Sequence, residues 1–303
     1  MSESILMFFQ ELSTPFLDVI MNAITFAGEQ LIFIAVITYI IWNVSKQGGY
    51  ILTYTLMSSS ALNGILKLIV HSPRPFQVIE GIEGKRLATA EGYAFPSGHT
   101  QGATTFYTSI ALTFKKRPLM ILAILLSLLV AISRLYLGVH WPIDVIGGFT
   151  LGILFTLVMY QLLPKIINDP VKKQRLNLIT ALVSTVVLIV LVPLASGDSV
   201  HNEQYHSLIK LFAIMAGFTI GSYFEEKMVA YSVEATRIVK LLRFFLGLTG
   251  AVAIMYGGKF LLPDHELATV IRYAGASIWA FFLYPLIGIN LPIDSEGNKL
   301  FSR

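Results

Sequence analysis

The run Ser133-Arg134-Leu135-Tyr136-Leu137-Gly138-Val139-His140-Trp141-Pro142-Ile143-Asp144 carries residue types that could do chemistry. It joins two long apolar stretches. Pro142 suits a helix start, where its missing N–H would have had no partner, so His140 lies near a helix N-terminus. Asp144 falls one turn further on the same face, where its carboxylate can accept the Nδ1 proton of His140 and leave Nε2 as an acceptor or nucleophile. That is the orienting half of a triad. A plain capping role for Asp144, with His140 at a wet interface, fits this segment taken alone equally well.

Two other segments carry matching chemistry. Lys67 and Arg74 lie in Lys-Leu-Ile-Val-His-Ser-Pro-Arg-Pro, spaced near two helical turns, so both cations can lean to one side although Pro73 and Pro75 loosen the last turn. Snorkelling to lipid headgroups would explain Lys67 by itself. Pro96-Ser97-Gly98-His99 opens another apolar run, where free backbone N–H groups make an anion site and Gly98 lets the backbone approach closely. Ser97 is also an ordinary N-cap. Jointly, three cations, a Ser-Gly helix start, two histidines and an orienting carboxylate are what phosphoryl transfer without a metal requires. Lys67, Arg74 and Arg134 would neutralise phosphate oxygens, with Ser97 and Gly98 adding donors. His140 would attack phosphorus, Asp144 would fix its tautomer, and His99 would protonate the departing oxygen and then activate water.

These segments closely resemble the signature of the type 2 phosphatidic acid phosphatase family: Lys-x6-Arg-Pro, Pro-Ser-Gly-His, then Ser-Arg-x5-His-x3-Asp. Every specified position is matched, by Lys67, Arg74, Pro75, Pro96 to His99, Ser133, Arg134, His140 and Asp144, in the same order. The resemblance covers roughly residues 16–163. It implies a metal-free phosphatase with a phosphohistidine intermediate, the His140 position as nucleophile and the His99 position as acid. It implies no cofactor and a core of six membrane helices.

The elements that must position these residues follow from composition. At 303 residues, 55% hydrophobic and 13% charged, the chain is too apolar for a soluble domain and reads as an integral membrane protein. Windows of ~18 or more uncharged residues suit helices crossing the hydrocarbon core. Alternating strand patterns are absent, and with no cysteine there is no thiolate or Cys/His zinc site. The fold expected is an all-α bundle of about nine spans, at 29–45, 50–70, 98–114, 118–137, 142–163, 176–195, 207–224, 238–257 and 269–289, after an interfacial amphipathic helix over 4–21. Residues 1–15 lack the basic region of a cleavable signal peptide.

With the N-terminus outside, 14 of the 22 Lys and Arg fall on the cytoplasmic side, among them Lys46, Lys173, Lys299 and Arg303. All three motifs then share the extracytoplasmic face. The expected organisation is a phosphatase core over 1–163, a basic cytoplasmic linker over 164–175 and a block of four spans over 176–303 whose interiors show no buried charge. The polar loop Phe76 to Phe95 lies beside the motifs. The activity expected is hydrolysis of a membrane lipid phosphate or lipid diphosphate, in the inner (cell) membrane, with no nucleic-acid partner. A soluble sugar-phosphate phosphatase or a lipid phosphotransferase would use the same site. A non-catalytic lipid transporter or flippase is the alternative of another class, against which the His140/Asp144 pair stands.

Overall fold

A computed structural model describes residues 2–90, 92–197, 199–263 and 265–288, and their regular structure is helical. In chain order the helices are α1 Ser2–Glu11, α2 Pro15–Phe26, α3 Gln30–Asn43, α4 Lys46–Val70, the short α5 Pro75–Val78, α6 Gly98–Phe114 and α7 Arg117–Tyr136. They continue with α8 Pro142–Ile167, α9 Pro170–Ala195, α10 Asn202–Met228, α11 Arg237–Leu261 and α12 Glu266–Ile278, which runs through a π turn at Trp279–Leu283 into α13 Tyr284–Gly288. The starts follow local chemistry. Thr14 caps α2, Asp169 caps α9 and Thr236 caps α11, each side chain accepting an N–H of the first turn, with Pro15 and Pro170 just inside their helices.

Among the described residues, seven helical stretches are long and apolar enough to cross a membrane, and the chain is an integral membrane protein. They fall on seven of the nine expected spans. The expected spans 50–70 and 98–114 are α4 and α6, whose apolar character is diluted by Thr53, Thr55, Ser59, Asn63, Thr100, Gln101, Thr104, Thr105 and Ser109. All nine of these polar side chains are buried against protein.

The N-terminal expectation needs correction. The helix expected over 4–21 breaks before Thr14, because Pro15 starts a new helix. α2 then belongs with α3 to one interrupted apolar stretch, Pro15–Asn43. The interruption sits at Ala27–Glu29, where a Cβ on Gly28 would stand 2.9 Å from Val130 Cγ1 and 3.3 Å from His99 O. The Tyr107 hydroxyl donates to Ala27 O at 2.8 Å, satisfying a carbonyl that the break releases.

The chain forms two compact units, Met1–Ile34 with Ile51–Lys165 and Asp198–Leu208, and Ala35–Tyr50 with Ile166–Gly197 and Ile209–Arg303. Within residues 164–175, α8 runs on through Pro164 to Ile167 and α9 begins at Pro170.

In the last four spans the expected absence of buried charge is not met at Arg243 and Arg272, and further buried charge lies just outside those spans. Lys46 pairs with the buried Glu225 at 2.6 Å, Lys173 pairs with Glu226, and the Tyr50 hydroxyl donates to Glu225 at 3.3 Å. Arg243 and Arg272 are also buried, in the opening turns of α11 and α12, donating to Ser232 O and Thr269 Oγ1. Short reaches to oxygens near a helix start let apolar segments carry these charges. Lys46 and Lys173, both expected on the cytoplasmic side, line one cavity. Lys299 and Arg303 lie outside the described residues.

In the first unit, glycines set the spacing of α6 and α8. A Cβ on Gly148 would meet Ser97 O at 2.7 Å, and one on Gly152 would meet Thr104 Cβ at 2.8 Å. Small residues one turn apart let two helices approach closely. Gly148→Val is therefore expected to lower stability by about 1–3 kcal/mol, as overpacking does, read as a fall in thermal midpoint in detergent. Gly257→Val, where no atom lies within 4 Å of the added Cβ, is the control. Equal midpoints for the two variants would contradict the packing account.

Candidate active site

The end of α7 builds the main loop of the site. Val139 N–H donates to Arg134 O and Gly138 N–H to Leu135 O, the paired bonds of a Schellman turn. Gly138 has φ +68°, and a Cβ there would stand 2.6 Å from Glu83 O, so both conformation and space demand glycine. Tyr136, Leu137 and Val139 are buried beneath this turn against Phe9, Leu17, Met21, Phe76 and Ala90, which fixes the direction in which the chain leaves it.

His140 follows at once and is buried. Its Nδ1 faces Asp144 Oδ2 at 3.3 Å, and Arg74 Nη1 lies 3.3 Å from its Nε2. Because a guanidinium only donates, Nε2 carries the lone pair and the proton sits on Nδ1, towards the carboxylate. Asp144 Oδ2 also accepts the Trp141 N–H at 2.7 Å, which is half of a capping box at the start of α8. The capping and orienting readings of Asp144 thus hold together. Burial first, then the charges of Arg74, Arg134 and Lys67 and the His99 ring, push the His140 imidazole well below the usual histidine range.

Arg74 does not share a helix with Lys67, contrary to the two-turn spacing. α4 ends at Val70, His71 turns the chain with φ 52°, and Arg74 caps the short α5, its own N–H bonded to Gln77 Oε1 at 2.9 Å. Its side chain donates to Gly92 O at 2.9 Å, Val139 O at 2.8 Å and Tyr93 O at 3.4 Å. Lys67 is buried in the last turn of α4. Arg134, fully buried in the last turn of α7, donates from Nη1 to Thr25 Oγ1 at 3.0 Å, while its Nε and Nη2 meet no acceptor. His99 Nε2 is likewise buried without a partner.

Ser97 caps α6, its Oγ accepting the Thr100 N–H at 3.4 Å, and its own N–H donates to Asp144 O at 3.0 Å. The second motif is thereby tied to the third. Asn63 donates to Pro96 O at 3.2 Å and to Gln101 Oε1 at 2.8 Å, and Gln101 donates to Ser59 O at 2.9 Å, which ties it to the first. Gly98 opens α6, where a Cβ would come no nearer than 3.4 Å to Asn63 Oδ1. Among the described residues, no group of three or more His, Asp or Glu side chains is arranged to hold a metal ion.

Several residues at the site escaped the sequence reading. Thr25 had a signal, the Gly28-Glu29 interruption in an apolar stretch just after it. Asn63 and Gln101 are amides within apolar helices, a type that seldom sits there without a partner. Trp141, whose Nε1 donates to Pro73 O at 2.9 Å, gave no signal beyond its place beside His140.

The chain is similar to known phosphatases. The pattern of the PAP2 superfamily matches residues 48–168, and that of the PAP2 superfamily phosphatase transmembrane extension matches residues 209–296. The chain is 31% identical to phosphatidylglycerophosphatase B of Bacillus subtilis, over 46% of its own length and 72% of that protein. It is 30% identical to an undecaprenyl-diphosphatase of Sulfolobus acidocaldarius, over 48% of its own length and 69% of that protein. It is also similar to a crystal structure of a transmembrane PAP2-type phosphatidylglycerolphosphate phosphatase from Bacillus subtilis. That match has 28% identity and a TM-score of 0.45, over 55% of this chain and 85% of that one.

Proposed function

The chain belongs to the PAP2 superfamily of phosphatases, and from that premise we propose that it hydrolyses a lipid phosphate or lipid diphosphate through a phosphohistidine at His140. One observation carries the reading. Buried polar atoms with no partner in the protein, Arg134 Nε and Nη2 and His99 Nε2, belong to groups whose fields act on a neutral His140 held by Asp144. Donors left over in a desolvated site suit an acceptor-rich group such as a phosphate.

In the proposed reaction Arg134, Arg74 and Lys67 bind the phosphate oxygens, with Ser97 and the Gly98 N–H adding donors. Arg74 gives up its contact with His140 Nε2 to do so. The Nε2 lone pair attacks phosphorus as the P–O bond to the lipid breaks, and the leaving oxygen takes a proton from His99. Water then attacks the phosphohistidine, losing a proton to His99, and the P–N bond breaks to free phosphate and His140. Asp144 keeps the Nδ1 proton in place and balances the charge that develops on the imidazole. The names of the relatives support a lipid substrate. The distribution of basic residues supports an extracytoplasmic site and a cytoplasmic C-terminus, and the three motifs support a catalytic core within 1–163 followed by the linker 164–175 and the block 176–303. A reporter joined after Arg303 that proves extracytoplasmic would overturn that orientation.

Purified protein is expected to release phosphate from a lipid phosphate in EDTA, and His140→Ala to abolish the release. Arg134→Ala should cost about 2–4 kcal/mol of transition-state binding, as loss of an oxyanion donor does. An active His140→Ala protein would sink the assignment. The pH profile gives a further check. The reactive form of His140 is neutral, and neighbouring positive charge disfavours the protonated form, so the acid limb of kcat/KM belonging to this group should fall below its ordinary value of about 6.5. Removing one positive charge with Arg74→Gln should move that limb to higher pH. Both proteins are measured on one substrate, so the phosphate's own ionisation is common to them. A limb that stays put or moves lower would contradict the assignment.

A further inference from the structure

The phosphate-binding arginine proposed above is held by a strand of loop that is itself held by the start of α10. Arg74 Nε donates to Gly92 O at 2.9 Å and Nη2 to Tyr93 O at 3.4 Å. On the other side of the same two residues, the Gly92 N–H donates to Glu203 Oε2 at 2.7 Å, and the Tyr93 hydroxyl lies 2.6 Å from His201 Nδ1. The His201 ring stacks on His71 at 4.8 Å and 27°, and His71 is the residue at which the chain turns from α4 towards Arg74. Gly92 has φ +61°, and a Cβ there would stand 2.8 Å from Gln204 Oε1, so the loop fits this surface only as glycine. The start of α10 is seated in turn on α4. A Cβ on Gly64 would meet Leu208 Cδ2 at 2.4 Å and Gln204 Nε2 at 3.3 Å, one turn before Lys67.

We propose that His201 and Glu203 are positioning residues for the reaction: by fixing the Gly92 and Tyr93 peptides they aim the carbonyl oxygens that orient the Arg74 guanidinium. Neither side chain touches the phosphate. Each residue is held from both sides, its N–H or side chain bonded towards α10 and its carbonyl bonded to the cation, so the direction of the carbonyl is fixed. The first turn of α10 thereby lies inside the working unit of the enzyme. Outer contacts that orient a binding group commonly matter nearly as much as the group itself.

This inference rests on the phosphatase reading, so its test includes a measurement independent of turnover. In the full-length protein in detergent, the double variant His201→Phe/Glu203→Ala should lower kcat/KM on a lipid phosphate roughly tenfold and weaken inorganic phosphate binding by a similar factor, with the thermal midpoint little changed. Glu203→Gln, which keeps an acceptor for Gly92, should restore most of the loss due to Glu203→Ala. Tyr93→Phe removes the His201 bond from the loop side and should reproduce part of the loss, should the double variant fail to fold. In an Arg74→Ala background the double variant should add nothing, because residues acting through one partner are not additive. A loss of the same size with and without Arg74, or no loss at all, overturns the proposal. A wild-type protein that binds inorganic phosphate but releases none from lipid phosphate would sink the hydrolase reading alone, and the binding series would still decide this one.

Discussion

Positive charge gathered in a buried place is the constraint on which the first unit depends. Lys67, Arg74 and Arg134 are 8%, 2% and 0% exposed, and all three act on His140. Two like charges ~4 Å apart in a medium of intermediate dielectric repel by about 4 kcal/mol, so such a cluster forms only where the rest of the fold compels it. Arg74 is held in part by main-chain dipoles, its side chain donating to the carbonyl oxygens of Gly92, Tyr93 and Val139. The fields of all three cations disfavour a proton on His140 Nε2, and the imidazole keeps its lone pair.

That requirement explains why so much of the surrounding structure is backbone aimed by special residues. Val139 offers its carbonyl to Arg74 because the Schellman turn at Gly138 directs it there, and Gly92 offers its own from a left-handed conformation. Ser97 is pinned to Asp144 through the main chain, so the start of α6 and the start of α8 cannot shift independently. Glycine at 148 and 152 brings those two helices close enough for the bond to form. Asp144 serves two purposes through one oxygen, accepting the Trp141 N–H at the start of α8 and facing His140 Nδ1. A residue that ends a helix correctly and fixes a tautomer is constrained twice, and neither use could be separated from the other by local sequence.

The eight candidate residues were legible because side-chain type and spacing within short segments carry the signal, and each segment could be read without its neighbours. The helical class and most spans were legible for the same reason, since continuous apolar runs need no partner to be seen. What could not be read was whatever depends on register between segments. The partners of Asn63, Gln101 and Thr25 cannot be named until α4, α6 and the broken α2–α3 stretch are set beside their neighbours. The Lys67–Arg74 spacing misled, because a helix-based count ran past His71, where the chain leaves the helix. α4 and α6 look too polar for ordinary spans because their polar faces meet one another, as in the Ser59–Thr105 and Asn63–Gln101 bonds, and not lipid.

The second unit uses the same residue types to the opposite end. There Lys46 and Lys173 lie 3.7 and 3.8 Å above the rings of Tyr231 and Tyr50, and each is also matched to a carboxylate, Glu225 or Glu226. Around the cavity of about 390 Å³ that these side chains line, charge is cancelled pair by pair. Removing Lys46 would leave the buried Glu225 uncompensated, so the arrangement holds structure together but exerts little net field. The loop beside the candidate site is fastened the same way, Lys85 to Asp18 at 2.6 Å and Arg86 to Glu29. Lys46, Lys173, Lys85 and Arg86 are thus held by carboxylates, whereas the fully buried Arg134 meets a single threonine hydroxyl and keeps Nε and Nη2 without an acceptor. Donors left over in a buried guanidinium suit an acceptor-rich ligand.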